Sequence, residues 1–377
     1  IDNHDSKSYY RNVSKLWLHL NSDTWLVGKI TIKDIARMAD VSVSTVSLVL
    51  SGKGYVSDTT RKKVEQVVAK YNYHPRQSAR RLPSQMTGNI GFIISDIHLF
   101  GNEHFYTRVL LGAELEARKR DYYILLNTIG QSFSPTVDMP RFIKSRDVDG
   151  IIVAGGVPHE LIEYVHELNI PYVLVDFRHP LLPSNLVLIE NYGGAYQAVK
   201  HLIDHGYRRI AFVGGSFYHS SIKERFRGYQ AALSEAGVDD DQALHFLVDE
   251  ETSDQIGYSG IYSMMDQSVK FDAVVCGNDT TAIGCLRALQ QSALNVPSDI
   301  GLVGFDDIRY AVETKPALTT VHVHKLEMGK QATRLIFDLL DHPDTGQQTR
   351  SIHTELIVRE STTRNRTEYV HERSSVA

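Results

Sequence analysis

A chain of 377 residues is too long for one ordinary domain and implies two or three. Its 42% hydrophobic and 23% charged residues mark a globular chain with a sizeable core, and no run of 18 apolar residues is present, which excludes a membrane-spanning helix and leaves no membrane partner to expect. The net charge of −5 speaks against nucleic acid, but residues 29–88 hold 11 Lys+Arg against 4 Asp+Glu, while residues 89–377 hold 26 against 38.

A basic head on an acidic body is expected when one module meets phosphate and the other does not. The plain alternative is a chance cluster of surface lysines. Residues 1–28 are balanced in charge and form an N-terminal extension. They lack Met, a clean apolar core and a small-residue cleavage site, so they do not read as a secretory signal. The first Met is Met38, inside the first strong motif, and the natural start is expected near Val27.

Residues 31–52 carry a two-helix pattern. Thr31 is a candidate N-cap, followed by Ile32, Ile35, Ala36 and Ala39 at helical spacing. Asp40 breaks the pattern, and Ser42 can cap a second helix with Val43, Val46, Val49 and Leu50. Two short helices about three residues apart make a helix-turn-helix unit. Ser42, Ser44, Thr45 and Ser47 cluster on its outward side, where hydroxyls can meet phosphates and base edges. A third helix starts after Ser57, with Val64, Val67, Val68 and Tyr71 as its apolar stripe and Tyr73 and Pro75 at its end. A three-helix protein-interaction module is the alternative; positive charge and the hydroxyl-rich second helix weigh against it.

The head resembles that of the lac-repressor family of bacterial regulators. The residues carrying the likeness are Asp34-Ile35-Ala36, Val41-Ser42, Thr45-Val46-Ser47, Val56-Ser57, Thr60-Arg61, Val64, Tyr73, Pro75, Ala79 and Leu82. The resemblance implies that Val43, Ser44 and Leu48 read bases of double-stranded operator DNA, and that Ser42, Thr45, Ser47 and Ser57 hold phosphates. Two departures stand out. Asp40 replaces a common glycine in the turn, and Leu48 stands where a polar or cationic reader is usual. The segment 76–84 matches the family hinge, which implies a minor-groove wedge at Leu82, close hinge packing at Ala79 and phosphate contacts at Arg80 and Arg81. Pro83 would end that helix after Leu82.

From Asn89 strands alternate with helices. Strand runs are predicted at 90–94, 123–126, 150–153, 172–175, 210–213, 273–275 and 302–305, with helices at 106–120, 192–205 and 280–291 among those between. Such units build parallel doubly wound sheets, and the length of the segment favours two lobes with a cleft at the carboxyl ends of the strands. Cys276 and Cys285 lie in apolar surroundings without metal-ligand spacing, which fits buried thiols in a reducing cytosol. His201/His205 and His322/His324 come without the carboxylate set of a metal site, and no nucleophile elbow or phosphate loop is present, so no enzyme activity, metal or cofactor is expected.

This body resembles the periplasmic-binding-protein-like core of the same family through Asp149-Gly150-Ile151-Ile152, residues 210–215, Arg225 with Gly228-Tyr229, Gly277-Asn278-Asp279 and residues 303–307. Head and body together cover about 335 of the 377 residues. The resemblance implies an all-α helix-turn-helix headpiece plus an α/β two-lobed core. The expected divisions are 29–75 for the head, 76–88 for the hinge, 89–365 for the core and 366–377 for the tail. It further implies that Arg225, Asn278 and Asp306 contact ligand hydroxyls, with Asp96, Phe105 and Tyr106 lining the cleft from the first lobe. Asp279 is read as a helix cap, and His98 and His104 as surface residues. The expected protein is a cytoplasmic homodimeric regulator, a repressor whose small-molecule effector is a carbohydrate. A nucleobase or nucleoside effector stays open because aromatic residues lie near the cleft. Dimer contacts are expected from 106–145 and the helix 324–340. The alternatives are a regulator controlled by a protein corepressor, or a solute-binding transport protein, against which the basic head and the lack of an export signal argue.

Overall fold

The computed structural model describes residues 30–52, 54–73, 86–100, 105–130, 132–250 and 252–363. The N-terminal extension, the hinge residues Ala79, Arg80, Arg81 and Leu82, and the tail lie outside these. The chain divides into two compact units, 1–86 and 87–377.

The described residues of the first unit form three α-helices: α1 (Ile32–Met38), α2 (Val43–Ser51) and α3 (Asp58–Lys70). Each begins at a hydroxyl cap. Thr31 forms a reciprocal capping box with Asp34, the Ser42 Oγ accepts from the Thr45 N–H at 3.1 Å, and the Ser57 Oγ accepts from the Thr60 N–H at 3.3 Å. Asp40 takes the left-handed backbone the turn demands, at φ 54°. Ile35, Ala36, Ala39, Val46, Val49 and Val64 make the core. Tyr71 leaves the expected stripe: the helix ends at Lys70, Tyr71 is exposed, and Tyr73 packs on the core instead.

The second unit contains two six-stranded sheets. The first has the order β11-β5-β4-β3-β1-β2, from β1 (Asn89–Ser95), β2 (Tyr123–Ile129), β3 (Gly150–Ala154), β4 (Tyr172–Val175), β5 (Asn185–Ile189) and β11 (Thr349–Ile352). All of its strands run parallel. The second has the order β12-β10-β9-β8-β6-β7, from β6 (Ile210–Gly214), β7 (His245–Leu247), β8 (Ala273–Cys276), β9 (Gly301–Asp306), β10 (Thr319–Val323) and β12 (Thr354–Ile357). Its strands run parallel as expected, except for the edge pair β10–β12, which is antiparallel. The inner strands are buried along their length, as sheets covered on both faces require.

The described residues form twelve α-helices, three in the head and nine in the body. The body's are α4 (Asp96–Phe100), α5 (Phe105–Ala117), α6 (Arg141–Lys144), α7 (His159–Glu167), α8 (Asn191–Asp204), α9 (Ser220–Glu235), α10 (Asp254–Asp266), α11 (Asp279–Gln291) and α12 (Lys325–Asp341).

The chain passes between the lobes three times. It leaves the first lobe at Glu190, returns through His324 into α12 and β11, and leaves again at His353 for β12. The crossings are tied together. The Glu190 N–H donates to the Ile352 carbonyl at 3.0 Å, and the Glu190 carboxylate meets the His353 Nδ1 at 2.9 Å. Helix α12 packs on α5 through two glycines. A Cβ at Gly112 would lie 2.1 Å from the Leu326 carbonyl oxygen, and one at Gly329 would lie 1.9 Å from that of Val109.

Candidate ligand cavity and nucleic-acid face

On the first unit, α2 turns Val46 and Val49 inward and leaves Ser42, Val43, Ser44, Ser47 and Leu48 exposed. Thr45 is half-buried, its hydroxyl 2.8 Å from that of Ser42. Ser57 is exposed at the head of α3. Tyr55, not singled out in the sequence, is 96% exposed beside it. A short helix presenting hydroxyls and two apolar side chains has the chemistry to meet phosphate oxygens, base edges and thymine methyl groups.

In the second unit a cavity of about 240 Å³ lies between the lobes, at the carboxyl ends of β1, β4, β6, β8 and β9. Arg225 on α9 is its centre and is 4% exposed. Its Nε donates to the Asn191 Oδ1 at 2.8 Å, its Nη1 to the Gly277 carbonyl at 2.6 Å and its Nη2 to the Asp306 Oδ1 at 3.1 Å. The guanidinium also lies 3.7 Å from the centre of the Phe305 ring, where the π face favours a cation. The Asp306 backbone is strained at φ 104°, outside the usual regions for a non-glycine residue. Burial pushes its carboxyl above the ordinary range, while Arg225 and Lys325 pull it back. Lys325, itself buried, donates to the carbonyls of Asp306, Asp307 and Val323, and lies 5.6 Å over the Phe105 ring.

Asn278 reaches the cavity as the N-cap of α11. Its Oδ1 accepts from the Thr281 N–H at 2.9 Å, and its Nδ2 donates to the Thr252 Oγ1 at 2.8 Å. The cap is therefore Asn278, not Asp279 as the sequence suggested. Asp279 is wholly buried, and its carboxyl accepts from the Ile308 N–H at 2.8 Å and from the Thr320 hydroxyl. Burial raises that carboxyl well above its usual range. It fastens the loop after β9, which fits the structural role expected of it through different partners.

The first lobe supplies Phe105 and Tyr106 to the cavity wall. Asp96 is not among the lining residues; its carboxylate faces Gly130 instead, and the adjacent Ile97 and His98 line the cavity in its place. His98 is half-buried and its ring lies 4.9 Å from that of Tyr106, which corrects its reading as a surface residue. His104 lies outside the described residues.

Several lining residues escaped the sequence reading, Asp176 and His219 among them. Asp176 follows β4 at φ 58°, and its Oδ2 accepts from the Tyr106 hydroxyl at 3.1 Å. Burial raises its carboxyl to about 6, with Asp306 adding to the rise and Arg225 opposing it. His219, just before α9, faces His98 across the cavity with ring centres 6.3 Å apart. An Asp directly after an apolar strand was the available signal for Asp176. The histidine pair had none, because it exists only once the lobes face each other. Away from the cavity, the His201 Nε2 bonds the Thr362 hydroxyl at 2.9 Å, and burial lowers that imidazole to about 4. Both cysteines are buried, with their sulfurs 3.6 Å apart.

Residues 31–76 match the bacterial regulatory proteins of the lacI family, and residues 199–362 match a periplasmic binding protein-like domain. The ribose operon repressor of Haemophilus influenzae is 33% identical over 333 residues, 88% of this chain and 98% of that protein. A solved transcriptional regulator CelR–cellobiose complex is 28% identical with a TM-score of 0.68, covering 88% of this chain and 99% of that one. A lac repressor dimer bound to operator shares the fold at 23% identity and a TM-score of 0.78, covering 89% and 100%. A helix-turn-helix head, a two-lobed α/β body and relatedness along most of the sequence lead to one conclusion: the chain belongs to the lacI family of bacterial regulatory proteins.

Proposed function

We propose that this protein is a cytoplasmic transcriptional repressor that binds a double-stranded operator as a homodimer and responds to a small carbohydrate held between its lobes. The observation that carries the reading is the buried Arg225–Asp306 pair opening, with Asn278 and Asp176, onto an interlobe cavity in a chain that also bears a helix-turn-helix. A fork of N–H donors beside carboxylates binds adjacent hydroxyls, which both donate and accept. Phe105, Tyr106 and His98 give the cavity an aromatic wall, which supports a nucleobase as the second reading. The relatives are named as transcriptional regulators, which favours binding without catalysis.

On the head, Val43, Ser44 and Leu48 would read base edges while Ser42, Thr45, Ser47 and Ser57 hold phosphates. The hinge roles of Ala79, Arg80, Arg81 and Leu82 belong to the same proposal. For the dimer face the exposed apolar residues Leu111, Tyr123 and Leu126, with Tyr310 and Val312, are the support. Helix α12 contributes less than its sequence suggested, because its apolar side is buried within the first lobe.

The test is a thermal-shift screen of the full chain against neutral sugars, sugar phosphates and nucleosides, followed by operator gel shifts with each hit. A ligand at one hundred times its Kd raises stability by about 2.7 kcal/mol. A neutral sugar that both stabilises the chain and changes operator affinity supports the reading. A nucleoside doing so instead favours the second reading, and operator binding indifferent to every small molecule points to a protein corepressor.

A further inference from the structure

The interlobe cavity does not end at Arg225. A second chamber of about 820 Å³ adjoins it, and the two share Ile97 and His219 in their walls. The outer chamber is formed by the residues after β3 in one lobe and after β6 and β7 in the other. Three features describe what it can hold.

The first is size. The inner cavity, at about 240 Å³, is below the usual range of about 300–1,000 Å³ for drug-sized ligands and suits one sugar ring. Anything longer must continue outward past His219. The second is an aromatic floor. Tyr218, 55% exposed, lies 5.7 Å from the His159 ring and 6.4 Å from that of Phe177, measured between centres. An aromatic face at a wet, polar opening offers apolar contact beside water, as the C–H face of a pyranose requires. The third is charge. Among the described residues the outer lining has Glu160, Asp249 and Glu250 and no lysine or arginine. Three of the five N–H groups of the inner Arg225 are bonded to Asn191, Gly277 and Asp306, leaving the others for a neutral hydroxyl, and the Asp306 carboxylate offsets its charge toward a phosphate. Carboxylates accept from sugar hydroxyls and repel a phosphate.

We propose that the effector is an unphosphorylated disaccharide, with one ring beside Arg225 and Asp306 and the second on the His159–Tyr218 floor. The proposal rests on the carbohydrate reading above and specifies its class.

The experiment is isothermal titration of the full chain with D-glucose, D-galactose, D-ribose, α- and β-linked gluco- and galacto-disaccharides, and the 6-phosphates of the same sugars. One disaccharide should bind at least tenfold more tightly than its component monosaccharides and than its own 6-phosphate. In Tyr218→Ala, and separately in His159→Ala, the ratio of disaccharide to monosaccharide affinity should fall to within about threefold of unity. The proposal is overturned by a monosaccharide that binds as tightly as any disaccharide, by a phosphorylated sugar that binds better than its parent, or by a ratio that survives in both variants. A monosaccharide that binds as tightly as any disaccharide and changes operator affinity leaves the regulatory reading standing and removes only the second ring. No sugar binding alongside intact operator binding removes both.

Discussion

The acid–base character of single side chains at the interlobe cavity leads to two predictions. Asp176 has its carboxyl raised to about 6 from an ordinary value near 3.8. Between those values the folded chain keeps a proton that the unfolded chain has lost, so this group's contribution to stability declines as pH rises from about 4 to about 6. Asp176→Asn should flatten that decline in urea melts taken across the interval. Sugar hydroxyls donate best to the ionised carboxylate, so effector affinity should rise by up to about tenfold per pH unit below 6 and level off above it. An effector affinity flat from pH 5 to 7 would remove Asp176 from the contact set. Asp306→Asn leaves the buried Arg225 guanidinium without its counter-charge, and losing one partner of such a pair costs about 3–5 kcal/mol. The variant should melt earlier and bind effector at least tenfold more weakly. Unchanged affinity would mean the pocket is placed wrongly. Arg225, Asn278 and Asp306 line the cavity where the family resemblance had put them, since each sits in a matched motif. Asp176 showed only as an Asp directly after an apolar strand, and His98 and His219 were not legible, because their nearness is made by two lobes meeting rather than by spacing along the chain.

Elements were readable where local chemistry settled them. Thr31, Ser42 and Ser57 marked all three head helices, since a cap is a local bond. Strands β1 to β4, β6, β8 and β9 showed as apolar runs. Strand β5 follows β4 without an intervening helix, against the alternation being sought. Strands β11 and β12 expose one face and carry polar residues, and β10 is threonine-rich. The contact between α5 and α12 was invisible for another reason: Gly112 and Gly329 lie more than 200 residues apart and matter only because two backbones touch. Gly329→Ala places a methyl group against a carbonyl with no room to yield. The expected loss is about 2 kcal/mol or more, within the usual range for overpacking. Urea denaturation checks this, and an unaltered midpoint would show that the helices can part at little cost.

At the scale of the molecule, composition alone carried a large part of the reading. A basic head and an acidic body predicted two modules with different partners, and the structure divides the chain into two compact units. What composition could not show is how the body's lobes share the chain. Strand order and helix packing reveal that the first lobe owns β11 and α12, which follow the whole central stretch of the second.

That sharing decides the order in which the body can be completed during synthesis. As the chain leaves the ribosome, the first lobe has five of its six strands by residue 189, yet lacks the helix that covers α5 until residue 341 and its last strand until residue 352. Through that interval the face of α5 that packs on α12 is uncovered. A nonsense or frameshift change near residue 320 thus injures a lobe whose strands are encoded far upstream. A chain ended after residue 323 should bind a hydrophobic dye and precipitate, whereas the full chain should do neither. Dye binding equal in the two would show that the early lobe closes without its late helix.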